Sequence, residues 1–224
     1  MFLKHIMQIL VIGNNLNWDE LKQKFGPEHK YLFGELEEDI KELMKSADVV
    51  FDFHPEKSSI KARYSNFSNA VFLNTSLISL SELIDQSDFL QRDAFFGFCG
   101  LPTFVNRPVL EASVSARKNV LQLENICSQL VTDFVCVEDR VGLVTPRVIC
   151  MIINEAYCTL EEGIATKEDI DLAMKLGTNY PWGPFEWTKR IGIKQVIELL
   201  DAVYNDTQDN RYKVCALLRN ELKD

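Results

Sequence analysis

The spacing of apolar residues changes near residue 140, and that change limits the folds open to this chain. Before it, short apolar runs bounded by turn formers alternate with stretches of helical period. Residues 8–12, QILVI, form a continuous apolar run that stops at Gly13, the pattern of a strand buried on both faces. Further strands are predicted at Tyr31–Phe33, Val49–Phe51, Ala70–Leu73, Phe95–Phe98 and Leu110–Val114. Between them, Trp18–Phe25 reads as a helix, and LEEDIKELMKSA sets Leu36, Ile40, Leu43 and Met44 on one helical face. SLSELIDQ reads as a short helix capped by Ser79 or Ser81. Past residue 140 only helical spacing remains. Ile149, Ile152, Ile153, Ala156 and Leu160 mark one face, and that helix stops at Gly163. Thr166 with Asp169 then offers a cap for a helix ending near Gly177, and two more helices are expected over Ile193–Tyr204 and Tyr212–Leu222. The expectation is an α/β chain, with a mostly parallel sheet domain over 1–139 and an all-α domain over 140–224.

Composition narrows the function classes. With 46% hydrophobic and 25% charged residues the chain has the profile of a soluble globular protein. A net charge of −9 without any block of Lys or Arg gives no field for nucleic acid, though a local basic patch would still suit an anionic small molecule. The cysteines (Cys99, Cys127, Cys136, Cys150, Cys158, Cys215) are scattered without a CxxC pair, and His5, His29 and His54 do not group with them. No metal site is expected, and buried, reduced thiols are. No apolar run approaches the ~20 residues of a membrane span. The start, MFLKHIMQILVIG, runs into the first strand without a small-residue cleavage site, so no signal peptide is read and a cytoplasmic location is expected.

Four stretches carry a resemblance. LEEGIATKEDIDLAMKLGTNYPWGPFEW (160–187) closely resembles the helical C-terminal domain of the 3-hydroxyacyl-CoA dehydrogenases. SADVVFDFHPEKSSIK (46–61), LNTSLISLSEL (73–83) and FFGFCGLPTFVNRPVLEASV (95–114) resemble segments of the same family's nucleotide-binding half. The resemblance covers most of the chain but skips roughly thirty to forty residues in the second quarter of the usual dinucleotide domain. It implies a reduced Rossmann-like domain, a C-terminal domain that pairs two chains, NAD as cofactor, and an acyl-CoA substrate of fatty acid or butanoate metabolism. Most of the 160–187 string reads as packing, with Pro181 and Pro184 forcing extended backbone.

Carried over position by position, the family's substrate-binding serine falls on Ser76 and the acidic partner of its catalytic histidine on Glu111. The histidine falls on Cys99 and the catalytic asparagine on Pro146, with Gly142 and Arg147 retained around it. Ser76, Cys99 and Glu111 are expected to converge. Hydride transfer from a 3-hydroxyl requires a base with a pKa near 7, which a His held by a carboxylate supplies. A thiol beside Glu111 has its pKa raised instead, and Pro146 offers no hydrogen-bonding side chain. The positions of the G-x-G-x-x-G turn read Gly13, Asn15 and Trp18. Asn15 can keep the turn, whereas Trp18 is expected to obstruct the contact of helix and strand. Glu35, about twenty residues on, takes the place of the ribose acid, and Glu56 and Lys61 complete the cofactor-side candidates.

Two readings stay open for Ser76 and Glu111: a retained half-site, or a solvated serine and a structural acid. Three stay open for the chain. It is a non-catalytic family member that keeps the dimer and binds an acyl-CoA, another metabolite or a protein partner; an active NAD-dependent 3-hydroxyacyl-CoA dehydrogenase using unusual residues; or an interaction module without a small ligand. The coincident substitutions at Cys99, Pro146, Asn15 and Trp18 favour the first.

Overall fold

The computed structural model describes residues 6–35, 37–84 and 94–223. The expected roles of Leu36 in a helix face, of 85–86 in a short helix and of 1–5 in the apolar start fall outside the described residues. The chain divides into two compact units, Met1–Leu143 and Val144–Asp224.

The first unit is built on a seven-stranded sheet: β1 Gln8–Ile12, β2 Lys30–Gly34, β3 Val49–Asp52, β4 Ala70–Asn74, β5 Phe95–Phe98, β6 Val109–Val114 and β7 Asp133–Val137. The strand order is β2-β1-β3-β4-β5-β6-β7. Every pairing is parallel except β5 with β6, so β6 and β7 run against the rest. The helices between them are α1 Asn15–Phe25, α2 Glu37–Met44, α3 Lys57–Tyr64, α4 Leu80–Leu83 and α5 Val120–Gln129. Because side chains alternate across a strand, the continuous apolar runs feed two cores. Ile9, Val11, Phe51, Phe72, Phe96 and Phe98 join Leu21 and Phe25 of α1 and Leu123 and Cys127 of α5 on one face. Leu10, Ile12, Val50, Val71, Leu73 and Phe95 join Ile40, Ile60 and Leu80 on the other. The Phe51 and Phe72 rings stack at 4.6 Å between centroids, and Phe98 meets Phe51 edge-on at 5.5 Å. The chain leaves β1 for β2 and returns on the far side of β1 as β3. That reversal is the switch point at which open α/β sheets bind ligands, outside the strands' C-terminal ends.

The second unit contains α6 Thr145–Glu161, α7 Lys167–Thr178, α8 Pro184–Ile191, α9 Ile193–Thr207 and α10 Ala216–Glu221. Its buried side chains include Ile149, Ile153, Tyr157, Phe185, Trp187, Val196, Leu200 and Leu218. Asp171 of α7 accepts the Phe185 N–H at 2.8 Å and the Glu186 N–H at 3.2 Å, which caps α8. A Cβ on Gly183 would stand 2.3 Å from the Asp171 carboxylate, so glycine is what lets the cap close. Glu186 accepts the Gly183 N–H at 3.0 Å and the Lys175 ammonium at 2.6 Å. The string shared with the dehydrogenases thus fastens α7 to α8.

The local expectations are met in part. Pro184 holds the residue before it extended, with Gly183 at φ −76° and ψ 167°, and itself opens α8, where a missing N–H costs nothing and its fixed φ suits the first turn. α1 begins at Asn15 rather than Trp18, because Asn14 caps it. α7 ends at Thr178, near Gly177 as expected, with Asn179 (φ 57°) as its left-handed cap. Tyr212 lies in a separate 3-10 turn, Asn210–Tyr212, before α10 starts at Ala216. α3, α5 and β7 had no clear signature. The first two bury only a pair of side chains each, and β7 is an edge strand with alternating exposure.

Candidate functional site

The C-terminal ends of β3, β4 and β5 are tied together by one side chain. Asn74, the last residue of β4, donates through Nδ2 to the Phe53 carbonyl at 3.1 Å. Its Oδ1 accepts the N–H of Ser76 at 3.2 Å, the Ser76 hydroxyl at 2.6 Å and the N–H of Gly100 at 2.9 Å. A Cβ on Gly100 would lie 2.7 Å from Asn74 Cγ, so the loop after β5 comes close only because that residue is glycine. This knot brings Ser76 Oγ to 3.4 Å from Cys99 Sγ, and both residues are buried.

Glu111 reaches the same place through register. In the antiparallel pair of β5 and β6, Phe98 faces Ala112. One step further, Cys99 stands opposite Glu111 on the same face. Ser76, Cys99 and Glu111 therefore come together. Burial pushes the Cys99 thiol up to about 12, and Glu111 adds to the rise, while Ser76, the Leu101 amide and Arg107 pull the other way. The expected influence of Glu111 is present, but burial is the larger cause. At neutral pH Cys99 is a thiol that neither gives nor accepts a proton readily.

Arg107, which no sequence pattern marks, is the cation of this cluster. Burial lowers its pKa, and Cys99, Glu111 and Glu20 raise it. Its Nε donates to the Thr103 carbonyl at 3.2 Å, and its guanidinium lies 4.4 Å from the Phe104 ring centroid. The loop that carries it is anchored on α1. Glu20 accepts the N–H groups of Val105 and Asn106, each at 3.1 Å, and Lys24 donates to the carbonyls of Arg107 and of Pro108 at 3.0 Å. Within it Thr103 holds φ 75°, a left-handed backbone that a β-branched residue seldom adopts.

The turn after β1 closes on itself. Asn14 and Asn17 form a reciprocal capping box: the Asn14 N–H donates to Asn17 Oδ1 at 2.9 Å, and the Asn17 N–H donates to Asn14 Oδ1 at 3.1 Å. A Cβ on Gly13 would meet Asn17 Oδ1 at 2.6 Å, so the space that Gly13 leaves open is filled by this buried side chain. Asn15, the first residue of α1, is exposed. Trp18 does not wedge α1 off the sheet, as its sequence position suggested. Its ring leans edge-on over Tyr31 at 5.8 Å and Phe33 at 5.6 Å. Glu35 stands exposed just past the end of β2, level with the Gly13 turn, since Ile12 pairs with Gly34. Glu56 sits at the start of α3 without capping it through its side chain, and Lys61 is exposed on that helix. Pro146 belongs to the second unit, buried in the first turn of α6. Among the described residues no group of three or more His, Cys, Asp and Glu is arranged to hold a metal ion, and no helix is long and apolar enough to cross a membrane.

Residues 142–224 match the family profile "3-hydroxyacyl-CoA dehydrogenase, C-terminal domain". A 3-hydroxyadipyl-CoA dehydrogenase of Escherichia coli is 41% identical over 83 residues, 37% of this chain and 18% of that protein. A probable 3-hydroxybutyryl-CoA dehydrogenase of Bacillus subtilis is 29% identical over 151 residues, 67% of this chain and 53% of that protein. The chain thus spans about half the length of the curated relatives that it matches more broadly. Among solved structures, an (S)-3-hydroxybutyryl-CoA dehydrogenase from Ralstonia eutropha superposes with a TM-score of 0.73 at 20% identity, covering 98% of this chain and 94% of that one. At that identity the likeness is one of fold.

Proposed function

We propose that this chain, a relative of the 3-hydroxyacyl-CoA dehydrogenases with that family's C-terminal domain over residues 142–224, is a non-catalytic binding protein for an acyl-CoA or a related metabolite. The observation that carries the reading is Cys99. At the position where the resemblance puts the histidine, it is a buried thiol beside Ser76 whose pKa is pushed up to about 12 by burial. A group protonated at neutral pH cannot take the proton of a 3-hydroxyl, and loss of a positioned base costs ~10²–10⁴-fold. Relatives named for CoA thioesters supply the ligand class.

NAD, the cofactor of the resemblance, does not fit the Gly13 turn in the usual way. A pyrophosphate rests on free N–H groups at a helix N-terminus. Here the Asn14 and Asn17 amides are committed to asparagine side chains, and Asn17 fills the space over Gly13. Isothermal titration with NAD should therefore give no binding in the micromolar range. Micromolar affinity would overturn the reading and favour an active NAD-dependent oxidoreductase.

The helical unit also supports a homodimer. Val144 and Val148 stand 53% and 51% exposed one turn apart at the start of α6, and Leu172 and Leu176 stand 53% and 78% exposed one turn apart on α7. Apolar residues left outward at helical spacing suit a self-complementary contact. Sedimentation at micromolar concentration should return twice the chain mass, and a monomer throughout that range would rule the dimer out.

A further inference from the structure

Asn154, Cys158 and Glu161 succeed one another along a single face of α6. Cys215, immediately before α10, is seated on that stripe. Its N–H donates to Asn154 Oδ1 at 2.8 Å, and its Sγ donates to Glu161 Oε2 at 3.5 Å. Those two anchors flank Cys158 on the stripe, and the nearby Cys215 adds to the rise of the Cys158 pKa. Asn154 also donates through Nδ2 to the Lys213 carbonyl at 3.0 Å, so the backbone before α10 is pinned at two points on the helix face that carries Cys158. Both thiols are free, Cys215 buried and Cys158 partly exposed.

We propose that Cys158 and Cys215 are a reversible redox pair that closes a disulfide between α6 and the C-terminal helix α10. The oxidant is a small-molecule disulfide such as oxidised glutathione. Cys158, the more accessible thiol, gives its proton to solvent and attacks one glutathione sulfur, breaking the S–S bond and releasing one glutathione thiol. Cys215 then loses its proton and attacks the Cys158 sulfur of the mixed disulfide, expelling the second glutathione. Two protein thiols become one disulfide and one glutathione disulfide becomes two thiols, so atoms and electrons balance.

The reaction is slow by construction. Burial pushes the Cys158 thiol up to about 11, with Cys215, Glu155 and Glu161 adding to the rise. At pH 7 that leaves about one thiolate in ten thousand, which suits equilibration with a disulfide pool rather than rapid capture of peroxide. Closure would also fix a ligand-sized hollow. Tyr157, next to Cys158, and Glu221, on α10, both line a cleft of about 260 Å³ with Lys167 and Phe185. The bond staples two of its walls.

The test is peptide mapping of the whole chain after incubation with oxidised glutathione, then with dithiothreitol. A peptide pair joined through Cys158 and Cys215, lost on reduction, is the expected result. The melting temperature of the oxidised form should rise by roughly 5–10 °C, as closing a long loop predicts. Cys158→Ser, at the less buried position, should abolish both effects. Glutathione adducts without the cross-link, or a cross-link joining other cysteines, would overturn the proposal. Should Cys215→Ser fail to fold, the wild-type map and Cys158→Ser still decide it.

Discussion

Purified protein should give no NAD-dependent oxidation of 3-hydroxybutyryl-CoA above background, and Cys99→His alone should not restore it. The first half follows from the missing base, worth ~10²–10⁴-fold by itself. The second follows from what surrounds position 99. Glu111 already lies in the field of Arg107, which would compete with an introduced imidazole for the carboxylate. Position 99 is 5% exposed and in contact with Ser76, so the larger imidazole must displace neighbours, at a cost of about 1–3 kcal/mol. The Gly13 turn stays closed by its asparagine pair, and Pro146 still has no side-chain donor or acceptor. Groups that act as a unit are strongly non-additive, so repairing one of them returns little. The measurement is NADH absorbance for wild type and variant at saturating cofactor and substrate. Turnover by the wild type would show that Cys99 or another group serves as base. Turnover by the variant alone would make the histidine the one decisive loss.

The sequence made the centre of the sheet legible and its margins obscure, for a physical reason. A strand segment buried on both faces must be apolar at every position, as ILVI (9–12) and AVFL (70–73) are. An edge strand such as β7, DFVCV, is constrained on one side only, and α3 hides just Ile60 and Tyr64, too few to set a period. In the site, the ungapped match to the dehydrogenase family between Gly97 and Glu111 implied that Cys99 and Glu111 meet, and the β5–β6 register, in which opposed positions keep a constant sum, agrees with it. Asn74 and Arg107 could not be found that way. Asn74 works by joining three loops that are distant in the chain, and Arg107 through a loop held by Glu20 and Lys24 of α1. Neither arrangement leaves a local pattern.

Asp52 belongs to the same class of residue, legible only in three dimensions, and replacing its partner should have the largest effect on stability. At the end of β3 its carboxylate is fully buried. It accepts the Arg63 guanidinium at 2.7 Å, the Tyr64 hydroxyl at 2.8 Å and the His54 N–H at 3.0 Å. Burial pushes its pKa up, while Arg63, Tyr64 and the His54 amide hold it down. Arg63→Met removes the only cation in that balance and leaves a charge without compensation, which costs about 3–5 kcal/mol. The sign of the pH dependence follows. Without Arg63 the folded-state pKa of Asp52 rises further above the ~3.9 of an unfolded carboxyl. A carboxyl raised on folding stabilises the fold at low pH, and that contribution is lost as pH climbs through the raised value. The gap between variant and wild type should therefore be smaller at pH 5 than at pH 7. Tyr64, whose pKa burial holds well above 10, stays a donor across that range and does not mask the effect. Pairing the change with Asp52→Leu, which removes the buried charge itself, should recover part of the loss, because the two positions are coupled. Urea unfolding at both pH values measures all of this. A loss under about 1 kcal/mol, or one that does not change between pH 5 and pH 7, would mean that Asp52 is already protonated in the wild-type fold and that Arg63 serves it only as a neutral neighbour.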